Sequence, residues 1–224
     1  MTTLIKICGL TRAADVRLAA GCGVDLVGFV LAESPRRVSP ETVAKIGAEI
    51  PEKVMKVGVF VDAERDEIME IADFCKLDLI QLHGHEDEAF ARALSPRRVL
   101  RVCRLGSGRV LPAESFPYGW AALLDTWLPK QAGGGGRVFD WRLAEPWRGK
   151  PYFLAGGLNP GNVEAAIRQL RPFGVDVSSG VEAAPGIKDP DKLKTFVAAV
   201  RRADGNERLQ ERSFNLDRRV RDDA

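Results

Sequence analysis

The sequence has few of the residues that build metal sites and disulfide frameworks. Its 224 residues include four cysteines, none of them in a C-x-x-C pair, and two histidines, His83 and His85. A zinc site of the usual kind needs closely spaced Cys and His ligands, so this class of site is not expected. Widely spaced cysteines are typical of reduced thiols in the cytosol. We therefore expect no bound metal, no disulfide and a cytoplasmic location.

Long apolar runs and an excess of one charge are missing as well. No stretch approaches the ~20 apolar residues of a membrane span. The amino-terminal apolar run is short and is interrupted by Lys6, unlike the apolar core of a signal peptide. The 33 basic and 31 acidic side chains leave a net charge of +2, whereas nucleic-acid and membrane-surface binding require a basic block or stripe. These absences argue against a nucleic-acid partner and against a membrane.

The sequence does contain a regular alternation of short, β-rich apolar runs with amphipathic stretches. Eight strands are predicted, at Leu4 to Cys8, Leu26 to Val30, Lys56 to Val61, Leu79 to Leu82, Val99 to Val102, Ala121 to Leu124, Tyr152 to Ala155 and Val175 to Val177. Helices are predicted at Ala13 to Ala20, Pro40 to Glu49, Ala63 to Phe74, Glu86 to Leu94, Asn162 to Leu170 and Asp191 to Arg202. Parallel strands need crossover helices. Eight such units predict an α/β fold, a (β/α)8 TIM barrel forming one domain over residues 1–202; a doubly wound sheet is the alternative.

Three segments depart from this alternation. Gly106 to Gly119 has a loop-like composition, which makes the fifth unit the least regular. Pro129 to Arg137 contains four consecutive glycines and is expected to form a mobile loop over the mouth of the barrel. Residues 203–224 are dense in mixed charge and predict a disordered tail or a frayed helix. A partner-binding role for this tail is the alternative.

Active sites of such barrels form at the carboxyl ends of the strands. Side chains alternate faces along a strand, so the residues expected to point inward there are Lys6 with Cys8, Gln81 with His83, Leu123 with Asp125, and Asp176 with Ser178. Lys6 lies one layer below Cys8, about 6–7 Å along the strand, where its ammonium group would favour a thiolate. An ion pair between Lys6 and Asp176 is an equally open role. For Cys8 the alternative is a small buried apolar residue.

Further polar residues follow other strands at the same end. Gly156-Gly157 and Ser178-Ser179-Gly180 follow strands seven and eight, where barrels commonly bind a phosphate through loop amides and a short helix. Glycines that merely end strands are the alternative. Arg36, after strand two, can bind a carboxylate through two hydrogen bonds. His83 is expected to line the pocket and His85 to be exposed. A phosphorylated small molecule is therefore the expected ligand.

The ordered set of these motifs resembles the phosphoribosylanthranilate isomerase family of tryptophan biosynthesis. The resemblance covers about residues 3–202. It is carried by K-I-C-G-L-T at position 6, G-F-V at 28, P-R-R-V-S-P at 35, V-G-V-F-V at 57, Q-L-H-G at 81, L-L-D-T at 123, F-D-W at 139, A-G-G-L-N-P-x-N-V at 155 and D-V-S-S-G-V-E at 176. Four glycines at 133–136 replace the family's commoner G-G-T/S-G, and the tail has no counterpart.

The resemblance implies an isomerase that performs an Amadori rearrangement without metal or organic cofactor. We expect a monomer or a homodimer. It implies that Cys8 is the general base, Asp125 the general acid, Arg36 the partner of the anthranilate carboxylate, and the two glycine-rich loops the phosphate site. An apolar wall would raise the pKa of Cys8, so Lys6 is expected to hold that pKa near or below neutral. Two alternatives remain open: the histidine-pathway aminoaldose isomerase, which has an Asp at the position of Cys8, and a non-catalytic barrel that binds a phosphorylated ligand.

Overall fold

The structure is a computed structural model that describes residues 2–105, 119–126 and 141–205. The predictions for residues 106–118, for the glycine-rich loop Pro129 to Arg137 and for the charged tail from residue 206 onward lie outside the described residues. Within the described part, no helix is long and apolar enough to cross a membrane.

Eight parallel strands close into a barrel in sequence order. They are β1 Leu4–Ile7, β2 Leu26–Val30, β3 Met55–Phe60, β4 Leu79–Leu82, β5 Arg98–Leu105, β6 Ala121–Thr126, β7 Tyr152–Leu154 and β8 Gly174–Val177. The barrel closes where β8 pairs with β1, with Lys6 opposite Asp176. The TIM barrel prediction is confirmed, and the doubly wound alternative is wrong because an open sheet would leave two unpaired edges.

Helices connect most of the strands. They are α1 Ala13–Gly21, α2 Pro40–Gly47, α3 Arg65–Phe74, α4 Glu88–Ala93, α5 Val163–Leu170 and α6, residues 190–205. Helix α2 begins at Pro40, as predicted, and the Ser39 hydroxyl caps it by accepting a hydrogen bond from the Thr42 amide at 3.3 Å. Helix α5 begins at Val163, one residue after its predicted start at Asn162. Helix α6 continues three residues beyond the predicted end of the barrel domain at 202.

Apolar side chains fill the lower part of the barrel. Trp120, Phe153 and Phe173 pack at the amino ends of the strands, with ring centroids 5.5–5.8 Å apart. Above them lies an interior cluster to which each of the described strands β2 to β7 contributes a buried residue. Offset and edge-to-face aromatic contacts and buried apolar area stabilise this layer. Since the lower part is filled, the barrel interior opens at the carboxyl ends of the strands.

A small hairpin after β8 was not predicted. A short 3-10 helix, Ser179–Val181, leads into β9 Glu182–Ala184, which pairs antiparallel with β10 Ile187–Lys188. The Thr11 hydroxyl donates to the carbonyl of Gly186 at 2.6 Å and ties this hairpin to the loop after β1. The hairpin thereby brings Glu182 and Lys188 next to the carboxyl end of β1.

Candidate active site

A cavity of about 470 Å³ opens at the carboxyl ends of the strands. This volume is typical of sites for small molecules. All but one of the predicted site residues line it, namely Cys8, Arg36, Gln81, His83, Asp125, Gly156, Gly157, Asp176, Ser178, Ser179 and Gly180. The exception, Lys6, is fully buried. The alternation of side chains along the strands thus predicted the facing of Cys8, Gln81, His83, Asp125, Asp176 and Ser178, whereas Arg36 and the glycine-rich loops reach the cavity from segments that follow the strands.

Cys8 follows the last residue of β1, and only 8% of its surface is exposed. Lys6 and Cys8 share the inward face of this strand, and Gly28 of β2 lies beside both. A Cβ atom on Gly28 would lie 2.9 Å from Cys8 Sγ and 3.1 Å from Lys6 Nζ. Only glycine leaves room for the thiol and the ammonium group at this point. The G-F-V motif at 28 and the K-I-C motif at 6 therefore pack against each other, with Gly28 beside Lys6 and Cys8.

Lys6 donates a hydrogen bond to Asp176 Oδ1 at 2.9 Å, so the predicted ion pair is formed. Burial opposes the charge of Lys6, but the attraction of Asp176 and of Cys8 outweighs it, and the pKa of Lys6 is raised. Lys6 is therefore a permanent cation beneath the thiol.

The pKa of Cys8 is raised, which corrects the expectation that its neighbours hold it near or below neutral. Burial is the largest influence and favours the neutral thiol. The charge of Lys6 acts in the opposite direction, as does its hydrogen bond to the thiolate, and Asp176 adds to the increase. Burial therefore outweighs Lys6, and it does so more easily because Asp176 offsets part of the positive potential that Lys6 provides.

Asp125 lies on β6, across the cavity from Cys8, and 26% of its side chain is exposed. His83 Nε2 lies 3.5 Å from Asp125 Oδ2, and His83 Nδ1 lies 3.0 Å from the amide nitrogen of Gln81. Gln81 and His83, two residues apart at the end of β4, thus form a chain that reaches the carboxylate. His85 is exposed, as predicted, and pairs with Asp62 on the surface.

The two glycine-rich loops lie next to each other. Gly156 and Gly157 both have positive φ angles, and the side-chain amides of Asn159 and Asn162 donate to the Gly157 carbonyl at 3.2 and 3.0 Å. These amides hold the first loop in place. A Cβ atom on Gly180 would lie 1.9 Å from the Leu158 carbonyl oxygen, so the second loop packs directly against the first. The 3-10 helix that includes Gly180 begins at the cavity.

Arg36 is held by Glu182, which is not among the predicted site residues. Arg36 Nε and Nη2 donate to the two carboxylate oxygens of Glu182 at 2.8 and 2.7 Å. Lys188 Nζ donates to Glu182 Oε1 at 2.9 Å and to the carbonyl of Cys8 at 2.6 Å. Burial acts to raise the pKa of Glu182, but the hydrogen bonds from Arg36 and Lys188 outweigh it and lower that pKa.

Glu182 and Lys188 differ in whether the sequence contains a signal for their place in the site. Glu182 is the last residue of the D-V-S-S-G-V-E motif at 176, so its motif was a usable signal. Lys188 precedes Asp189-Pro190, two residue types that are typical of a turn, and lysine side chains are rarely buried. Its side chain is instead fully buried. No local pattern distinguishes this lysine from a solvated one.

The order of groups around the mouth follows from the strand order. Asp125 on β6 is followed by the glycine-rich loops after β7 and β8, by Cys8 after β1 and by Arg36 after β2. Because these groups surround a single cavity, a ligand whose two anionic ends are bound at the glycine-rich loops and at Arg36 lies beside both Cys8 and Asp125. This arrangement suits proton transfer to one atom and from another. Within residues 2–105, 119–126 and 141–205, no cluster of His, Cys, Asp or Glu has the composition to hold a metal.

The chain matches the family model described as N-(5'phosphoribosyl)anthranilate (PRA) isomerase over residues 5–199. The N-(5'-phosphoribosyl)anthranilate isomerase of Desulforudis audaxviator is 45% identical over 205 residues, which cover 90% of this chain and 99% of that protein. The protein of the same name from Magnetococcus marinus is 45% identical over 205 residues, covering 91% of this chain and 97% of its own.

Solved structures agree with these relatives. Phosphoribosyl anthranilate isomerase from Thermotoga maritima has a TM-score of 0.83 at 39% identity, with 89% of this chain and 99% of that chain covered. A phosphoribosyl anthranilate isomerase in complex with reduced 1-(o-carboxyphenylamino)-1-deoxyribulose 5-phosphate has a TM-score of 0.80 at 37% identity, with the same coverage. A third structure, of monomers generated from the dimeric Thermotoga maritima protein, has a TM-score of 0.79 at 37% identity, again covering 89% and 99%.

Proposed function

Because the chain belongs to the N-(5'-phosphoribosyl)anthranilate isomerase family and catalyses that isomerisation in tryptophan biosynthesis, we propose that Cys8 is its general base and Asp125 its general acid. The observation that carries this proposal is that Cys8, Asp125, Arg36 and both glycine-rich loops line one cavity. The glycine-rich loops lie between Asp125 and Cys8, and Arg36 lies beyond Cys8. The substrate has a phosphate at one end, a carboxylate at the other and the reacting carbons between them.

The proposed reaction is a sequence of proton transfers in which Asp125 donates a proton, Cys8 accepts one, and both groups return to their starting states. Asp125 gives its proton to the ribose ring oxygen, the bond from that oxygen to C1' breaks, and an iminium forms between C1' and the anthranilate nitrogen. The Cys8 thiolate then removes the C2' proton, and the electron pair forms the C1'–C2' double bond of an enolamine. Transfer of the C2' hydroxyl proton to C1' gives the 2'-ketone. Return of one proton from the thiol to the carboxylate restores the site.

The raised pKa of Cys8 is compatible with this role. It reduces the fraction of thiolate in the unliganded protein, but each thiolate that forms is a stronger base towards carbon. Lys6, Lys188 and Arg36 surround the sulfur with positive charge, and two carboxylates, Asp176 and Glu182, pair with them. These five groups sum to one excess positive charge, which a thiolate at Cys8 would neutralise.

Other residues of the cavity bind the substrate rather than react with it. We assign the phosphate to the loops of Gly156-Gly157 and Ser178 to Gly180, because both line the cavity after β7 and β8, the position at which barrels commonly bind a phosphate. Arg36 receives the anthranilate carboxylate. Gln81 and His83 line the wall near Asp125. The enzyme is proposed to act in the cytoplasm, as a monomer or homodimer, without a metal or an organic cofactor.

The loss of anthranilate fluorescence on turnover tests these roles. We expect Cys8→Ser and Asp125→Asn each to lower kcat by at least ~10²-fold, the low end for a general acid or base. Cys22→Ser, at the end of α1 and outside the cavity, is the control and should retain activity. Near-wild-type turnover by Cys8→Ser would show that another group removes the C2' proton.

A further inference from the structure

We propose that Glu182 is a positioning residue that orients the Arg36 guanidinium and thereby sets the preference of the site for an aryl group bearing a carboxylate. The inference rests on the role proposed for Arg36 above. It assigns a function to the hairpin of β9 and β10, which carries Glu182 and Lys188.

Contacts at both ends of the Arg36 side chain fix its conformation. Its stem crosses Gly9, where a Cβ atom would lie 2.6 Å from Arg36 Cδ. Its head forms two hydrogen bonds with the Glu182 carboxylate, through Nε and Nη2. An arginine side chain has several rotatable bonds, and ordering it in the complex would weaken binding. An arginine that is already ordered avoids this loss.

Glu182 is itself fixed from the opposite side. Its Oε1 atom accepts hydrogen bonds from Lys188 Nζ at 2.9 Å and from the Gly186 amide at 3.3 Å. Lys188 in turn donates to the carbonyls of Cys8 at 2.6 Å and of Ser178 at 3.2 Å. An ammonium has three N–H donors, and these three acceptors match them. Lys188 thus connects the position of Arg36 to β1, which carries the proposed base, and to the proposed phosphate loop.

The hydrogen bonds to Glu182 leave part of the Arg36 guanidinium group available to bind a ligand. A guanidinium has five N–H groups, and two of them are used by Glu182. The edge formed by Nη1 and Nη2 keeps the fork geometry that binds a second carboxylate through two hydrogen bonds. Arg36 lines the cavity. The anthranilate carboxylate therefore finds a guanidinium whose orientation is set before binding.

Charge alone predicts the opposite effect of Glu182. A carboxylate beside Arg36 reduces the positive potential there, so on this basis Glu182→Gln would bind a ligand carboxylate more tightly. If orientation dominates, Glu182→Gln binds it more weakly, because a glutamine amide group cannot accept from both Arg36 nitrogens. The sign of the change distinguishes the two explanations.

The test compares two stable ligands, reduced 1-(o-carboxyphenylamino)-1-deoxyribulose 5-phosphate and the same compound without the carboxylate. The readout is the ratio of their dissociation constants, measured by calorimetry. We expect the wild type to prefer the carboxylate by roughly 10- to 100-fold, as for a charge-assisted hydrogen-bonded pair. Glu182→Gln should lower this preference about tenfold, and Arg36→Ala should abolish it. If Glu182 had only a structural role, Glu182→Gln would weaken the binding of both ligands equally and leave the ratio of their dissociation constants unchanged.

Three further variants serve as controls for the effect of Glu182→Gln on this ratio. Glu49→Gln removes the glutamate of an exposed pair with Arg17 and should leave the ratio unchanged. Glu182→Asp keeps the charge but is one methylene shorter, so it should also lower the preference, and it serves if Glu182→Gln does not fold. Adding Glu182→Gln to Arg36→Ala should have no further effect on the ratio.

Two results overturn the inference. An unchanged or increased preference in Glu182→Gln, while Arg36→Ala abolishes it, shows that Glu182 does not position Arg36 and leaves the proposed role of Arg36 intact. If Arg36→Ala itself keeps the preference, the role of Arg36 is wrong, and the inference about Glu182 is overturned with it.

Discussion

Replacing Gly28 by alanine places a methyl group where the thiol of Cys8 and the ammonium group of Lys6 come together. The added Cβ would lie 2.9 Å from Sγ, 3.1 Å from Nζ and 3.2 Å from the Cα atom of Cys8. Ordinary contacts between such atoms lie near 3.5–4.0 Å, so the sulfur has to retreat by about 0.6–1 Å. The nearby Cα atom means that the backbone at the end of β1 is pushed as well.

A displacement of this size should affect catalysis more than stability. A misplacement of about 1 Å in a reacting group can lower a rate 10²-fold, and we expect a loss of about this size in kcat/KM for Gly28→Ala. Overpacking a core position typically destabilises a protein by about 1–3 kcal/mol, which should leave the variant folded at 25 °C. The fluorescence assay measures the first effect and thermal unfolding the second.

Gly58→Ala is the matched control in the neighbouring strand β3. Its added methyl would meet side chains of Leu77, Phe60 and Leu31 on the outer side of the barrel. We expect a similar loss of stability with kcat/KM kept within about threefold, because no reacting group moves. The reasoning is refuted if Gly28→Ala is folded and retains near-wild-type kcat/KM, or if Gly58→Ala loses as much activity.

Three further predictions concern the base, the phosphate loops and the last helix. Burial raises the pKa of Cys8, so inactivation by iodoacetamide should be slow at neutral pH and rise about tenfold per pH unit with the thiolate fraction; a plateau below pH 8 contradicts this. Gly180→Ala forces the loop away from the Leu158 carbonyl and should raise KM and the Kd of inorganic phosphate at least tenfold, a result that equal phosphate affinity would exclude. Asp204 accepts hydrogen bonds from the Thr3 amide and hydroxyl at 3.1 and 2.7 Å, so Asp204→Ala should destabilise the fold by about 1–3 kcal/mol in urea, with kcat/KM unchanged.

Much of the barrel could be predicted because its strands are short apolar runs between polar helices. The predicted strands Leu26 to Val30 and Leu79 to Leu82 agree with β2 and β4 residue for residue. The predicted strand Val99 to Val102 is too short, since β5 extends to Leu105. Arg104 interrupts the apolar run at this end of the strand and weakens the apolar signal, although Leu100 to Leu105 are all paired with β6.

The hairpin of β9 and β10 was missed for a different reason. Its strands contain three and two residues and are joined by Pro185-Gly186, a pattern that is typical of a loop. Their conformation is stabilised by contacts with distant segments, such as the hydrogen bond between Thr11 and Gly186. Local propensity carries no information on such contacts.

The direction of the pKa shift of Cys8 could not be predicted from the positions of the residues along the strands. Strand parity correctly placed Lys6 on the inward face beneath the thiol, and it allowed the ion pair with Asp176. The direction of the pKa shift depends on how completely burial removes water and on how far Asp176 offsets Lys6. These opposing effects are set by three-dimensional packing, so their balance cannot be read from the spacing of residues.

The sequence by itself determined the alternation of eight strands with helices and the set of polar residues at the strand ends, because these follow from local patterns that repeat along the chain. Only the tertiary structure decided which of these groups contact one another. Arg36 and Glu182 are 146 positions apart, and Lys188 and Cys8 are 180 positions apart. Such contacts arise when the barrel closes, since closure brings β8 and the hairpin after it next to β1 and β2.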